Sequence, residues 1–187
     1  MKNINLQKAI LYATGRNLQM GGGSGLSEDD PILVTENHHG SMVSTEHFAY
    51  KEIAVLYGWW QAKHGRISHF EDGDKVIEEF VIDYIDDENN PRQTKLYFDI
   101  TVGFRNAGKT LEQVKTPEEL KQIYEGTHYA SHESMIAHFY GAFAYARTLR
   151  PNEKLNASSL MNLFSDIDED HANRLISALQ DCGFEVT

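Results

Sequence analysis

Residues 76–104 carry the most regular hydrophobic pattern in the chain. Leu96, Phe98, Ile100, Val102 and Phe104 alternate with Lys95, Tyr97, Asp99, Thr101 and Gly103. Successive side chains of a strand point to opposite faces, so this period of two predicts a half-buried strand with one polar face. Val76 to Asp86 is rich in β-branched and aromatic residues, and DENNPRQ between the two runs supplies turn chemistry. Together they predict an antiparallel hairpin, 76–86 against 95–104. A hairpin is not stable by itself and requires further strands or covering helices.

Elsewhere the period is helical. Residues 5–14 predict a short helix stopped by Gly15. MGGGSGLSEDDP, residues 20–31, reads as a linker or a closing loop without regular structure, and Ile32 to Glu36 as a short strand. NHHGSMVST follows as loop. Ala49, Ile53, Leu56 and Trp60 then recur at helical spacing, with Ser44 or Thr45 as the cap and Lys63-His64-Gly65 as the end. Trp59 and Trp60 cannot both face one core from such a helix, so one of them is expected at a boundary or contact surface.

Beyond Lys109 the pattern is helical throughout. Thr116-Pro117-Glu118-Glu119 opens one helix, which Gly126 ends, and Ser131 opens a second that runs to Leu149. Asn156 to Phe164 is a third, and Asp168 caps a fourth ending at Cys182-Gly183. This order predicts the α+β class: an antiparallel sheet containing the 76–86/95–104 hairpin, packed against helices, with a helical C-terminal third. The 187 residues suit a single domain, in which 1–30 form an N-terminal helix and Gly-rich linker and 110–187 the helical part.

Composition narrows the function classes. One cysteine, Cys182, excludes an internal disulfide framework and fits a reducing compartment. A formal charge of -11 argues against nonspecific binding to nucleic acid or anionic membranes, both of which use basic patches. The most apolar run, Met135 to Ala146, is too short to span a bilayer, and the first residues break their apolar positions with Asn, Gln and Lys. These features are those expected of a cytoplasmic protein.

Three constellations bear on chemistry. Gly103, Gly108, Lys109 and Thr110 stand at the spacing of a phosphate-binding P-loop, whose glycines let amides wrap phosphates while Lys neutralises charge. The strand before a P-loop is ordinarily apolar on both faces, whereas here Lys95, Tyr97, Asp99 and Thr101 line a wet one. Gly103 is expected inside that strand, and no apolar strand ending in Asp follows to hold magnesium. The nucleotide reading is therefore an alternative, with those four residues as its cofactor-binding candidates. His38, His39 and His47 form one histidine group, and His128, His132 and His138 another. His128 and His132 have a zinc-helix spacing but lack the internal Glu of HExxH. A metal site would draw on His38, His39, His47, His128 and His132. DIDED, residues 166–170, is not a calcium loop, because His171 stands where a glycine is needed. Glu78-Glu79 and Asp86-Asp87 are adjacent, which along a strand points them to opposite faces and makes poor acid–base pairs. Cys182 has no activating neighbour in sequence and reads as a packing residue.

The leading expectation is a non-enzymatic binding or interaction module that contacts a protein partner or a second copy of itself. Its motivation is the aromatic surplus at Trp59, Trp60, Tyr97 and Tyr129. The alternatives are a nucleotide-binding or phosphoryl-transfer enzyme using GFRNAGKT and a His-dependent metal hydrolase. No cofactor is identified by the sequence.

Overall fold

The computed structural model describes residues 4–36, 39–110, 113, 136–150 and 153–186. In chain order the elements are α1 (Leu6–Thr14), β1 (Met20–Gly22), β2 (Ile32–Val34), α2 (His39–Leu56), β3 (Trp60–Asp72), β4 (Lys75–Ile85), β5 (Pro91–Asp99), α3 (Thr101–Arg105), α4 (Phe139–Thr148), α5 (Ala157–Leu163) and α6 (Glu169–Asp181). The α+β class is as expected. The helices expected over 116–126 and from Ser131 lie wholly or partly outside the described residues.

Local capping chemistry fixes several helices. The Asn5 side chain accepts from the Lys8 N–H at the start of α1, and Gly15 ends it in the left-handed region at φ 74°. Asn156 accepts from the Ser159 N–H to open α5, and Asp168 from the His171 N–H to open α6.

The strands form one five-stranded sheet in the order β1-β2-β5-β4-β3. It is mixed, not purely antiparallel: β2 runs parallel to β5, with Ile32 opposite Phe98. The chain leaves β2 through α2, β3 and β4 before returning as β5, which is a crossover long enough to make parallel neighbours. The Gly-rich stretch expected to be irregular contributes β1, pairing Gly22 with Ile32. Gly25 is then pressed against the core at φ +73°, where a Cβ would stand 2.7 Å from Ile32 Cδ1 and 2.8 Å from Leu96 Cδ1.

The hairpin pairs Lys75–Ile85 with Pro91–Asp99, so its second strand is shifted from the expected 95–104. The chain leaves the strand because the Asp99 carboxylate accepts from the Thr101 N–H at 3.2 Å and from its hydroxyl at 2.6 Å. α3 starts there, which corrects the expectation that Gly103 and Phe104 continue the strand. The expected face of wet residues is also partly closed: Lys95 is exposed, but Tyr97 and Asp99 are buried.

The helix expected to run from Thr45 through Trp60 to Gly65 instead begins at His39 and ends at Leu56. Gly58 turns the chain at φ 71° and Lys63-His64-Gly65 lie in β3, a thirteen-residue strand that the hydrophobic pattern did not announce. β3 is the last strand of the sheet, and its pairing with β4 slips between Trp60 and Lys63 and again between His64 and Ile67.

Phe80, Phe98, Leu96, Ile82 and Ile32 of the sheet join Met42, Ile53 and Leu56 of α2 and Phe139 and Phe143 of α4 in the core. Each such side chain contributes about 1.5–3 kcal/mol on burial. Cys182 is wholly buried among them, in the packing role expected. No helix among the described residues is long and apolar enough to cross a membrane.

Candidate functional site

α2 lies over the face of the sheet on which Glu78, Phe80 and Ile82 alternate along β4. Directly opposite them stand Phe98, Leu96 and Thr94 of β5, and His69, Ile67 and His64 of β3. Phe98 and Leu96 are fully buried, whereas β3 residues are half-buried or exposed throughout. This face of the sheet is thus more deeply buried at β5 than at β3.

Into this layer α2 directs a carboxyl group. Met42, Glu46, Ala49 and Ile53 follow one another at helical spacing along its buried stripe, and Glu46 is 1 % exposed. The Glu78 side chain lies near enough to bear on its protonation. Two carboxyl groups share a hydrogen bond only if one of them holds a proton. Burial, then the hydrogen bond and charge of Glu78, push the Glu46 pKa up to about 10. Both effects act in one direction and favour the neutral form of Glu46. Its Oε1 is buried and has no hydrogen-bond partner among the described residues. A second buried carboxyl, Glu36, accepts from the Thr45 hydroxyl at 3.4 Å.

Beside the carboxyl pair is a layer of rings. His47 stands edge-on to His64 at 5.3 Å and to Phe80 at 5.6 Å, and Tyr50 meets His64 at 5.2 Å. The His47 Nδ1 lies 3.0 Å from the Val43 carbonyl oxygen. A carbonyl only accepts, so Nδ1 carries the hydrogen of that bond. His64 Nδ1 is buried and has no hydrogen-bond partner among the described residues. The His69 ring packs on Phe104 of α3 at 5.0 Å, at the open end of the Glu78 row.

Of the histidines named from sequence, His39, His47 and His138 are described, the last with Nε2 3.2 Å from an Asp166 carboxylate oxygen, and His38, His128 and His132 lie outside the described residues. His39 and His47 are eight positions apart on α2, about 12 Å along its axis, so they do not converge with each other. Among the described residues no three His, Cys, Asp or Glu side chains are grouped to hold a metal ion.

The P-loop spelling falls on a short helix and the turn after it. Gly103 is buried inside α3, where a Cβ would meet Met42 Sδ at 2.6 Å. Its lack of a side chain serves the close approach of α3 to α2. Gly108 turns at φ +82° with open space around it. The Lys109 ammonium donates to Asn106 Oδ1 at 2.9 Å, and the Thr110 N–H to Gln113 Oε1 at 2.7 Å.

Trp60 is 48 % exposed and donates from Nε1 to Asp87 Oδ1 at 2.6 Å, while Trp59 is half-buried between Tyr57 and Tyr84. One tryptophan of the pair is at the surface, although the two sit in a turn and a strand and not in a helix. Tyr97 is buried, and Tyr129 lies outside the described residues.

Glu78 and Glu79 do face opposite ways: Glu79 pairs with Lys95 at 2.8 Å. What the adjacency argument missed is that the partner of Glu78 comes from α2. A charged residue type at position 46, inside an otherwise apolar helical stripe, is the sequence sign that would have found it. No family model, curated protein or solved structure matches this chain.

Proposed function

We propose that the chain is a binding module whose ligand site is the Glu46–Glu78 pair with the flanking rings of His47, Tyr50, His64 and Phe80. The observation that carries this reading is the unpartnered Oε1 of a carboxyl that is 1 % exposed. Leaving a buried polar atom unsatisfied costs about 1–3 kcal/mol, a penalty that a ligand bearing a hydrogen-bond donor removes. Phosphate binding at residues 103–110 has less support, since Gly103 backs onto Met42 and the Lys109 ammonium is engaged with Asn106.

Equilibrium dialysis of the protein against a cellular small-molecule extract, read by mass spectrometry, tests the proposal. The wild type is expected to enrich at least one compound that Glu46→Gln does not. Enrichment of nothing, or of the same compounds by both, refutes it.

A second reading, contact with a protein partner or a second copy, rests on Trp60 and Val55, both large, apolar and exposed. Sedimentation of the wild type and Trp60→Ala decides it for self-association: an oligomer lost in the variant supports the reading, and two monomers count against it.

A further inference from the structure

We infer that the free edge of β1 is a docking site for an extended, basic peptide segment of a partner protein, which adds a further strand beside Gly22 and seats an apolar side chain in the cavity between β1 and α1. This site is separate from the Glu46 layer and does not depend on it.

Three of the four glycines in MGGGSG are explained by the chain itself. Gly22 and Gly25 have φ +79° and +73°, and a Cβ on Gly23 would stand 2.1 Å from Asp30 Oδ1. Gly21 is the exception. Its φ is not left-handed, and a Cβ there would meet nothing within 4 Å, although glycine weakens a strand. A glycine inside a strand often marks the close approach of a ligand or another backbone.

Gly21 borders a cavity of about 210 Å³ between residues 4–7, at the start of α1, and residues 20–23, along and just past β1. Ile4, Leu6 and Met20 give it apolar walls. The Gln7 Nε2 donates to Asn17 Oδ1 at 2.8 Å and to the Leu18 carbonyl at 3.2 Å, which fixes α1 against the chain entering β1 and holds the gap in shape.

The edge beside this cavity is unpaired. β1 stands at the end of the sheet and bonds on one side only, to β2. The Gly23 N–H donates to the Pro31 carbonyl and the Thr35 N–H to that of Gln19. In an antiparallel ladder this alternation bonds Gly21 to Leu33 and turns the N–H and C=O of Gly22 away from β2. Gly22 is exposed, and no described backbone group meets it on that side. A donor and an acceptor on one residue are what an antiparallel guest strand takes up, exchanging two main-chain bonds.

Charge selects the guest. Its N-terminal end would lie toward Glu28 and Asp29, which are exposed in the loop from β1 to β2. Together with the net charge of -11 they favour a segment with basic residues at that end. A second copy of this chain fits less well, because residues 17–31 hold three acids and no base.

The experiment is an amide NMR titration of the ¹⁵N-labelled full chain with the acetylated, amidated hexapeptide Lys-Lys-Val-Phe-Val-Thr. The Gly21, Gly22 and Gly23 signals are expected to move, with a dissociation constant of about 1 mM or tighter. Two control peptides should bind at least about tenfold more weakly: one N-methylated at Val, Phe and Val, which removes main-chain donors, and one with Glu-Glu in place of Lys-Lys. In Gly21→Val the denaturation midpoint should be no lower than in the wild type, since the space is open, while peptide binding falls at least about tenfold. Signals at Gly21–Gly23 that stay fixed up to about 10 mM peptide, or binding that survives N-methylation or Gly21→Val, overturn the proposal. A Gly21→Val variant less stable than the wild type overturns its premise, because the fold itself would then require that glycine. Glycine signals that move with protein concentration alone assign the edge to a second copy and remove the partner peptide.

Discussion

Glu46→Gln separates a proton-holding carboxyl from one that is merely buried. The amide matches the acid in volume, and its NH₂ donates to Glu78 where the acid O–H did. The sign of the pH effect follows from the folded and unfolded values. Unfolded, Glu46 titrates near its ordinary 4.5; folded, burial and Glu78 raise it to about 10. Between these limits the native state holds one proton that the unfolded chain has lost. Its stabilising effect is complete below 4.5 and disappears as pH rises through 10. One whole proton corresponds to about 1.4 kcal/mol per pH unit, so the wild type loses up to about 4 kcal/mol between about pH 5.5 and 8.5. That is a large share of a native stability of about 5–15 kcal/mol. Groups remote from the pair act alike in both proteins, so the difference between their curves reports on residue 46 together with its neighbour Glu78. Urea unfolding at about pH 5.5, 7 and 8.5, with m-values compared, is the assay. Near pH 5.5 the two should agree within about 1 kcal/mol, and near pH 8.5 the variant should be the more stable by about 2–4 kcal/mol. Parallel curves, differing by a constant within about 0.5 kcal/mol, would mean that Glu46 is ionised in the fold and would refute the argument.

Two further outcomes follow from packing. Gly103→Ala places a Cβ 2.6 Å from Met42 Sδ in the α2–α3 contact, and overpacking should exceed the gain in helix propensity. A net loss of about 1–2 kcal/mol is expected in chemical denaturation. The Cys182 thiol is wholly buried and its pKa is pushed up to about 12, by burial first and then by the Asp181 charge. Maleimide labelling near pH 8 should therefore proceed at the rate of unfolding and reach the speed of a free thiol only in denaturant; fast labelling of the native protein would contradict the burial.

The elements legible in the sequence are those whose boundaries are set locally. Asn5 with Gly15, Asn156, and Asp168 mark helix ends through bonds to backbone a few residues away, and α1, α5 and α6 fall where those residues place them. β4 and β5 were legible from their alternation. The overshoot to Phe104 arose because Ile100, Val102 and Phe104 keep a period of two while the chain is already turning at Asp99 and Thr101. β3 was hidden because none of its residues is fully buried and its two register slips break any alternation. The parallel pairing of β2 with β5 joins residues 66 positions apart, as in Ile32 with Phe98, and no local pattern encodes it. The candidate site was obscured for a related reason. A glutamate in a helix is usually solvated, and only the path of α2 over β4 brings Glu46 to Glu78.

The broken rhythm of β3 has a consequence for the company this molecule keeps. An outermost strand of thirteen residues would ordinarily invite another chain to extend the sheet. Here the backbone amides and carbonyls fall out of step at two places, with Lys63 at the end of the first and Arg66 inside the second. A visiting strand would find only short stretches in phase with its own. The two slips thus make the longest exposed edge of the sheet a poor template for a second one.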